Sequence, residues 1–195
     1  MFLLRQPSPQ LIDRVLDAQR SAPLSYPDPG ITRSPDTQGY SRNHHQAQLG
    51  SGSDSYLRTV AAVRSWAMYS LPWTTVYPPE APIEPGTVFA AVVHHLGFWS
   101  INPCRIVYVE EQESASLHSF SFAIGTLPLH SERGEERFLV EWNRATDLVR
   151  FEILAYAGPQ HWMARVGAPY VRLLQQRFGR AALQAVRARV QHPRA

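Results

Sequence analysis

Seven consecutive residues, His130 to Glu136, hold one imidazole, three carboxylates (Glu132, Glu135, Glu136) and the guanidinium of Arg133. A carboxylate beside an imidazole orients it and raises its basicity. His130 with Glu135 or Glu136 is therefore the candidate catalytic group, acting as a general base. The same donors suit a metal ion. The alternative is a charged hairpin turned at Gly134, with carboxylates that only meet water. No metal site and no cofactor are assigned.

Other reactive residue types are scattered. His94 and His95 end an apolar strand; neighbours on a strand point to opposite faces, so they cannot readily share one ion, and one of them should face the interior. His44 and His45 meet the same objection. Cys104 and Tyr108 are expected on one strand face, but no base stands nearby in sequence to activate a thiol. His118 shares its face with Phe120 and Phe122, as a polar group does when it orients a ligand in an apolar pocket or when it simply ends a strand. Phe151 and Trp142 or Leu139 extend that aromatic lining. The expected ligand-binding residues are His94, Tyr108, His118, Phe120, Phe122 and Phe151. Gly50-Ser51-Gly52 precedes a helix start, where anions are favoured. No Lys follows, so a tight strand-to-helix turn is the simpler reading.

These residues need elements to hold them. Leu11 to Arg20 predicts a short helix, and the Pro-rich stretch Ser21 to Gly39 a loop or extended lead-in. A first strand falls within Tyr40 to Leu49, and residues 54–68 read as a helix started by Ser53 or Asp54. The period then changes to two. Strands are predicted at Trp73 to Tyr77, Thr87 to His95, Cys104 to Glu110, Leu117 to Ile124, Arg137 to Trp142 and Leu148 to Tyr156. One wet and one dry face, with no helices between strands, means an antiparallel sheet. After Gly158-Pro159 a helical stripe runs from Val166 to Val190, kinked or split near Gly167 and Pro169. This is α+β: a helix-grip, in which a curved antiparallel sheet of six to seven strands is closed by a long C-terminal helix and a cavity lies between them. Residues 1–42 form a helix and lead-in packed on a single domain at 43–190.

Composition narrows the classes. The chain has 195 residues, is 44% hydrophobic and 18% charged, and carries one Cys, which excludes an internal disulfide and Cys-rich metal sites. No apolar run approaches the roughly 18–20 residues of a membrane span. The apolar start at Met1 to Leu4 is too short for a signal peptide core, so a cytoplasmic protein is expected. All 19 basic residues are Arg. Residues 1–152 hold 12 Arg and 16 acids, net −4; residues 153–195 hold 7 Arg and no acid, net +7. The tail coincides with the closing helix. Its Arg are therefore expected on a solvent face, pairing with Glu132 to Glu136 or with Glu110-Glu111. That leaves room for weak peripheral contact with anionic lipid headgroups and gives no reason to expect nucleic acid.

From about Ser25 to Val186 the chain resembles domain-of-unknown-function family 1990, a group found in bacteria and plants. The segments that carry the likeness include Gln48-Leu49-Gly50-Ser51-Gly52, Val76-Tyr77-Pro78-Pro79, Trp99-Ser100-Ile101-Asn102-Pro103-Cys104-Arg105, Gly125-Thr126-Leu127-Pro128 and His130-Ser131-Glu132-Arg133-Gly134-Glu135-Glu136-Arg137-Phe138. The resemblance implies kinship with the START and polyketide-cyclase-like superfamily, whose members bind lipids, hydrophobic metabolites or hormones and include some cyclases. Two positions depart from the family pattern. Ile124 stands where members often carry Tyr, and Leu129 stands where a Gly commonly follows the Leu-Pro pair. The expected function is binding of a hydrophobic or lipid-like small molecule between sheet and helix. The alternatives are a cofactor-free cyclase or hydrolase built on the His130 to Glu136 loop, and a peripheral interaction protein using the Arg-rich helix. Whether there is any catalysis, and the oligomeric state, stay open.

Overall fold

The computed structural model describes residues 2–34, 39–159 and 168–192. In chain order these form β1 (Phe2–Leu3), α1 (Pro9–Gln19), β2 (Ser41–Ser51), α2 (Gly52–Arg64), β3 (Thr74–Tyr77), β4 (Val88–His95), β5 (Phe98–Glu113), β6 (Leu117–Thr126), β7 (Glu132–Asn143), β8 (Leu148–Pro159) and α3 (Ala168–Gln191), with single 3-10 turns at Ile31–Arg33 and Ala67–Tyr69. All strands pair antiparallel in one sheet ordered β2-β8-β7-β6-β5-β4-β3, and β1 pairs with the start of β5. The fold is the α+β helix-grip, with a curved antiparallel sheet closed by the C-terminal helix. The kink expected at Gly167 and Pro169 falls at the edge of, or outside, the described residues.

The inner face of the sheet packs on α2 and α3. Alternation supplies Phe89 from β4, Phe120 and Phe122 from β6, Phe138 and Val140 from β7, and Phe151 and Ile153 from β8, all within 1% of complete burial. Fully burying each such side chain stabilises by about 1.5–3 kcal/mol. From α3 the stripe Ala182, Val186 and Val190 meets them. Closer to its start the helix comes down onto β2 through Gly179, where a Cβ would lie 2.2 Å from the His45 ring. At the opposite helix start, Gly50 serves a close approach: a Cβ there would stand 2.2 Å from Ser55 Oγ.

The outer face is covered too. Ile12, Val15 and Leu16 of α1 pack on Ala90, Val92 and Ile101. Arg105 holds the end of α1, donating to the carbonyls of Arg20 (3.0 Å) and Ala22 (2.9 Å). The lead-in then lays Tyr26 and Ile31 on Leu154 and Tyr156.

One strand differs from expectation in two ways. β5 begins at Phe98, passing straight through Asn102-Pro103. The Pro103 carbonyl accepts from Leu127 N (3.1 Å), just past the end of β6. Its missing N–H points to that same side, so Pro103 costs no ladder bond. A bulge between Ile106 and Tyr108 then shifts the register against β6. Cys104 and Ile106 consequently face the inner core while Tyr108 faces outward, correcting the expectation that Cys104 and Tyr108 share a face.

Candidate functional site

The His130 to Glu136 segment is mostly strand, and the pleat divides it. Glu135 turns outward. Its carboxylate accepts from Gly30 N (2.7 Å), Thr32 N (3.1 Å), Tyr26 Oη and Thr32 Oγ, and it is 3% exposed. Glu132 and Glu136 share the inner parity of Phe138. Glu132 accepts from Gln175 of α3, whose own amide oxygen accepts from Asn43 of β2 (2.7 Å). Glu136 accepts from Tyr69 Oη (3.2 Å). Tyr69 is fixed by ring packing on Phe138 and Phe178.

The two inner carboxylates are electrostatically expensive. Burial pushes Glu132 up to about 7, against the pull of Gln175. It pushes Glu136 up to about 7 as well, opposed by the Tyr69 bond and reinforced by Glu132. Among the described residues no cation forms a salt bridge with either. Burial and Glu136 drive the Tyr69 phenol and the Cys104 thiol upward. Yet Glu132 and Glu136 keep partly accessible side chains, whereas the phenylalanines beside them show none. The accessible surface of the inner face therefore lies at this polar end, and the aromatic centre is packed solid. Two further clefts, of about 310 and 390 Å³, lie elsewhere: one where Ser55 and Arg58 of α2 meet Val190, the other along Gln46, Gln48 and Arg150.

The structure separates several expected partners. His130 turns Nδ1 onto the backbone of Glu132, accepting from its N–H (2.9 Å), and burial lowers the imidazole to about 4. His130, Glu135 and Glu136 therefore do not converge. Tyr108 bonds Thr32 Oγ (2.8 Å) on the outer face, with Arg33 over its ring at 3.9 Å. His94 has the outward parity of Ala90 and Val92 and stacks on Trp99 at 4.4 Å. Neither lines the inner side. His118 is on the inner face at the far end of the sheet, against Tyr56 and Trp142 and 3.7 Å from Glu113. Phe120, Phe122 and Phe151 have the inner orientation but touch one another and the core rather than open space.

Among the described residues, the acids expected to pair with the closing helix pair elsewhere or are bonded to neutral donors. Glu110 pairs with Arg33 and Glu111 with Arg64. Among the described residues, Arg177, Arg180, Arg187 and Arg189 form no salt bridge. Nor do the described residues place three or more His, Cys, Asp or Glu around one metal position.

Reading residues singly missed Tyr69, Asn43 and Gln175, and left Glu132 out of the candidate catalytic group. For Glu132 a signal existed: counting back in twos from Phe138 places Glu136 and Glu132 inside and Glu135 outside. Ile124 is the cross-strand partner of Glu136. Tyr69 supplies the phenol that bonds this carboxylate.

A family model described as a domain of unknown function, DUF1990, matches residues 25–185. A UPF0548 protein of Dictyostelium discoideum is 30% identical over 196 residues, covering 91% of this chain and 90% of its own. The UPF0548 protein At2g17695 of Arabidopsis thaliana is 33% identical over 153 residues, covering 77% and 74%. Among solved structures, hypothetical protein jhp0584 from Helicobacter pylori superposes with a TM-score of 0.51 at 14% identity, over 83% of this chain and 94% of its own. At that identity the likeness is one of fold. Among the described residues no helix is long and apolar enough to cross a membrane.

Proposed function

We propose that this chain, which belongs to the DUF1990 family, is a binding module for a small molecule with an apolar body and a hydrogen-bond-donating group. The ligand sits at the polar end of the grip, its donor on Glu132 and Glu136 and its body against Tyr69, Ile124 and Phe178. One observation carries this reading: two inner-face carboxylates are crowded enough to be pushed up to about 7, yet retain accessible surface and, among the described residues, have one neutral side-chain donor each. A fold with no use for them would replace them with apolar residues at no loss. The site differs from the aromatic-lined cavity expected between helix and sheet, because Phe120, Phe122 and Phe151 already fill that centre.

Native mass spectrometry of the gently purified protein, followed by organic extraction, tests this. The expected result is a co-purifying small molecule that is lost from Glu136→Gln and Glu132→Gln. A ligand-free protein, or retention by both variants, overturns it. A second reading has a specific observation behind it as well. Carboxyls that titrate near 7 beside a phenol are suited to moving protons at neutral pH, as a cofactor-free cyclase or hydrolase requires. Turnover of the extracted compound, with a pH profile that Glu136→Gln removes, would favour it over binding alone.

A further inference from the structure

The β4–β5 hairpin turns through Leu96 and Gly97, with φ of 50° and 77°. Two-residue turns with positive φ at both positions favour Asn or Asp first and penalise a bulky side chain there. Leu96 nevertheless holds that place, and it is 72% exposed. Neither the local backbone nor burial accounts for a leucine. Phe98, which follows the turn, is 45% exposed. β1 runs beside the same strand, with Leu3 opposite Trp99 and Phe2 opposite Ser100. That brings Phe2 (63% exposed) and Leu4 (79% exposed) to the same end of the sheet. An exposed apolar group of this kind marks a contact surface.

The exposed charges at this end are mostly positive, with Asp28 of the lead-in as an exposed acid. Arg177 lies over Trp73 at 5.3 Å, and Trp73 O accepts from His94 N (2.8 Å), so this cation stands beside the hairpin. Arg133 and Arg42 are exposed at the adjoining ends of β7 and β2, and Arg5 is exposed one residue beyond Leu4. None forms a salt bridge among the described residues. The carboxylates nearby are already bonded: Glu132 to Gln175 on the inner face, and Glu135, buried on the outer face, to the lead-in. The acids Glu110, Glu111 and Glu113 lie at the opposite end, where β5 finishes.

We propose that this end of the sheet docks onto a lipid bilayer bearing anionic headgroups. Leu96, Phe98, Phe2 and Leu4 enter the boundary between headgroups and acyl chains, and Arg177, Arg133, Arg42 and Arg5 face the phosphates. Charge complementarity selects this occupant. A second copy of the chain would set four arginines against their own kind. A nucleic acid backbone would engage the arginines but leave exposed aliphatic side chains without a use. The surface does not depend on what the inner cleft holds.

Co-sedimentation of the full chain with vesicles tests the proposal. Vesicles of phosphatidylcholine containing about one-third phosphatidylglycerol should bind it at least about tenfold better than phosphatidylcholine alone, and added salt should weaken that binding. The double variant Leu96→Asn, Phe98→Ser should bind about tenfold less, with an unchanged or higher urea midpoint, because Asn adopts positive φ more readily than Leu. A wild-type chain that ignores anionic vesicles overturns the proposal, as does a double variant that binds them equally. Salt-insensitive binding removes the role given to the arginines. Wild-type self-association in sedimentation velocity that the double variant loses would assign the surface to a second copy instead.

Discussion

Glu135 and Glu136 are adjacent in sequence and opposite in circumstance. On the outer face Glu135 meets four donors, two of them backbone amides of the lead-in. On the inner face Glu136 meets one phenol among the described residues. Evenly satisfied carboxylates hold structure together, since a buried acceptor with all its bonds costs little and its removal orphans every donor. A carboxylate with one neutral donor in a crowded site contributes nothing comparable to stability. The two faces of one sheet thus put the same side chain to different uses, and the difference can be measured.

The largest effect belongs to the outer face. Glu135→Ala leaves Gly30 N, Thr32 N and Tyr26 Oη without their acceptor and should cost about 3 kcal/mol or more in urea unfolding, with the lead-in becoming protease-sensitive. A loss below about 1 kcal/mol would break the comparison, because Glu135 would then be no more structural than its neighbour.

The next effect has the opposite sign and depends on pH. Burial pushes the Glu136 carboxyl from its usual 4.5 up to about 7. A raised carboxyl pKa means the folded state holds the proton more tightly. Its stability contribution is present below pH 4.5 and is lost as pH rises to 7, where the carboxylate becomes a penalty. Glu136→Gln should therefore be more stable than wild type at pH 8, by on the order of 2 kcal/mol, and indistinguishable at pH 4.5. The wild-type profile alone would mislead. His130, lowered to about 4, works the other way, destabilising the fold as pH falls from 6.5 toward 4. Only the difference between variant and wild type isolates Glu136. A Gln variant less stable at every pH would sink the assignment of this residue to function.

A smaller effect tests how the outer cover is seated. A Cβ on Gly125 would stand 2.6 Å from Tyr26 Oη and 2.9 Å from Leu24 Cδ2. Gly125→Ala should destabilise by about 1–2 kcal/mol through overpacking, loosening the lead-in without touching the inner face. Urea unfolding together with limited proteolysis reads both. Unaltered ligand retention would show that the faces are independent.

How much of this was legible varied by element, and the reasons are physical. β6 and β8 alternate cleanly because one face is apolar, so the inward placement of Phe120, Phe122 and Phe151 followed from a period of two. β7 was read as starting at Arg137, five residues late. Glu132 to Glu136 has the composition of a solvated turn, and neither Glu nor Gly favours strands. The bulge at Val107 left no mark, since Ile106, Val107 and Tyr108 are all good strand formers, and it alone moved Tyr108 to the outer face. Tyr69 sits in a 3-10 turn and is aimed at Glu136 by Phe138 and Phe178, from distant parts of the chain. Half of the donors to Glu135 are backbone amides, which carry no sequence signature.

The smallest expected signal bears on the depth of the inner cleft. Cys104 is 2% exposed, its thiol contacts the Asn102 carbonyl at 3.7 Å, and burial with Glu136 nearby pushes its pKa up. Thiol reagents attack the thiolate, which this setting suppresses. Native protein at pH 8 should therefore label no faster than it globally unfolds, while urea-unfolded protein labels at once. In Glu136→Gln the rate should stay the same, because removing a nearby carboxylate eases ionisation but opens no path for the reagent. Labelling of the native chain faster than unfolding would mean that the accessible space runs past Glu136 to β5. The boundary between the polar end and the packed centre would then lie one strand further in, and Cys104 would join Glu132, Glu136 and Tyr69 as a wall of the site.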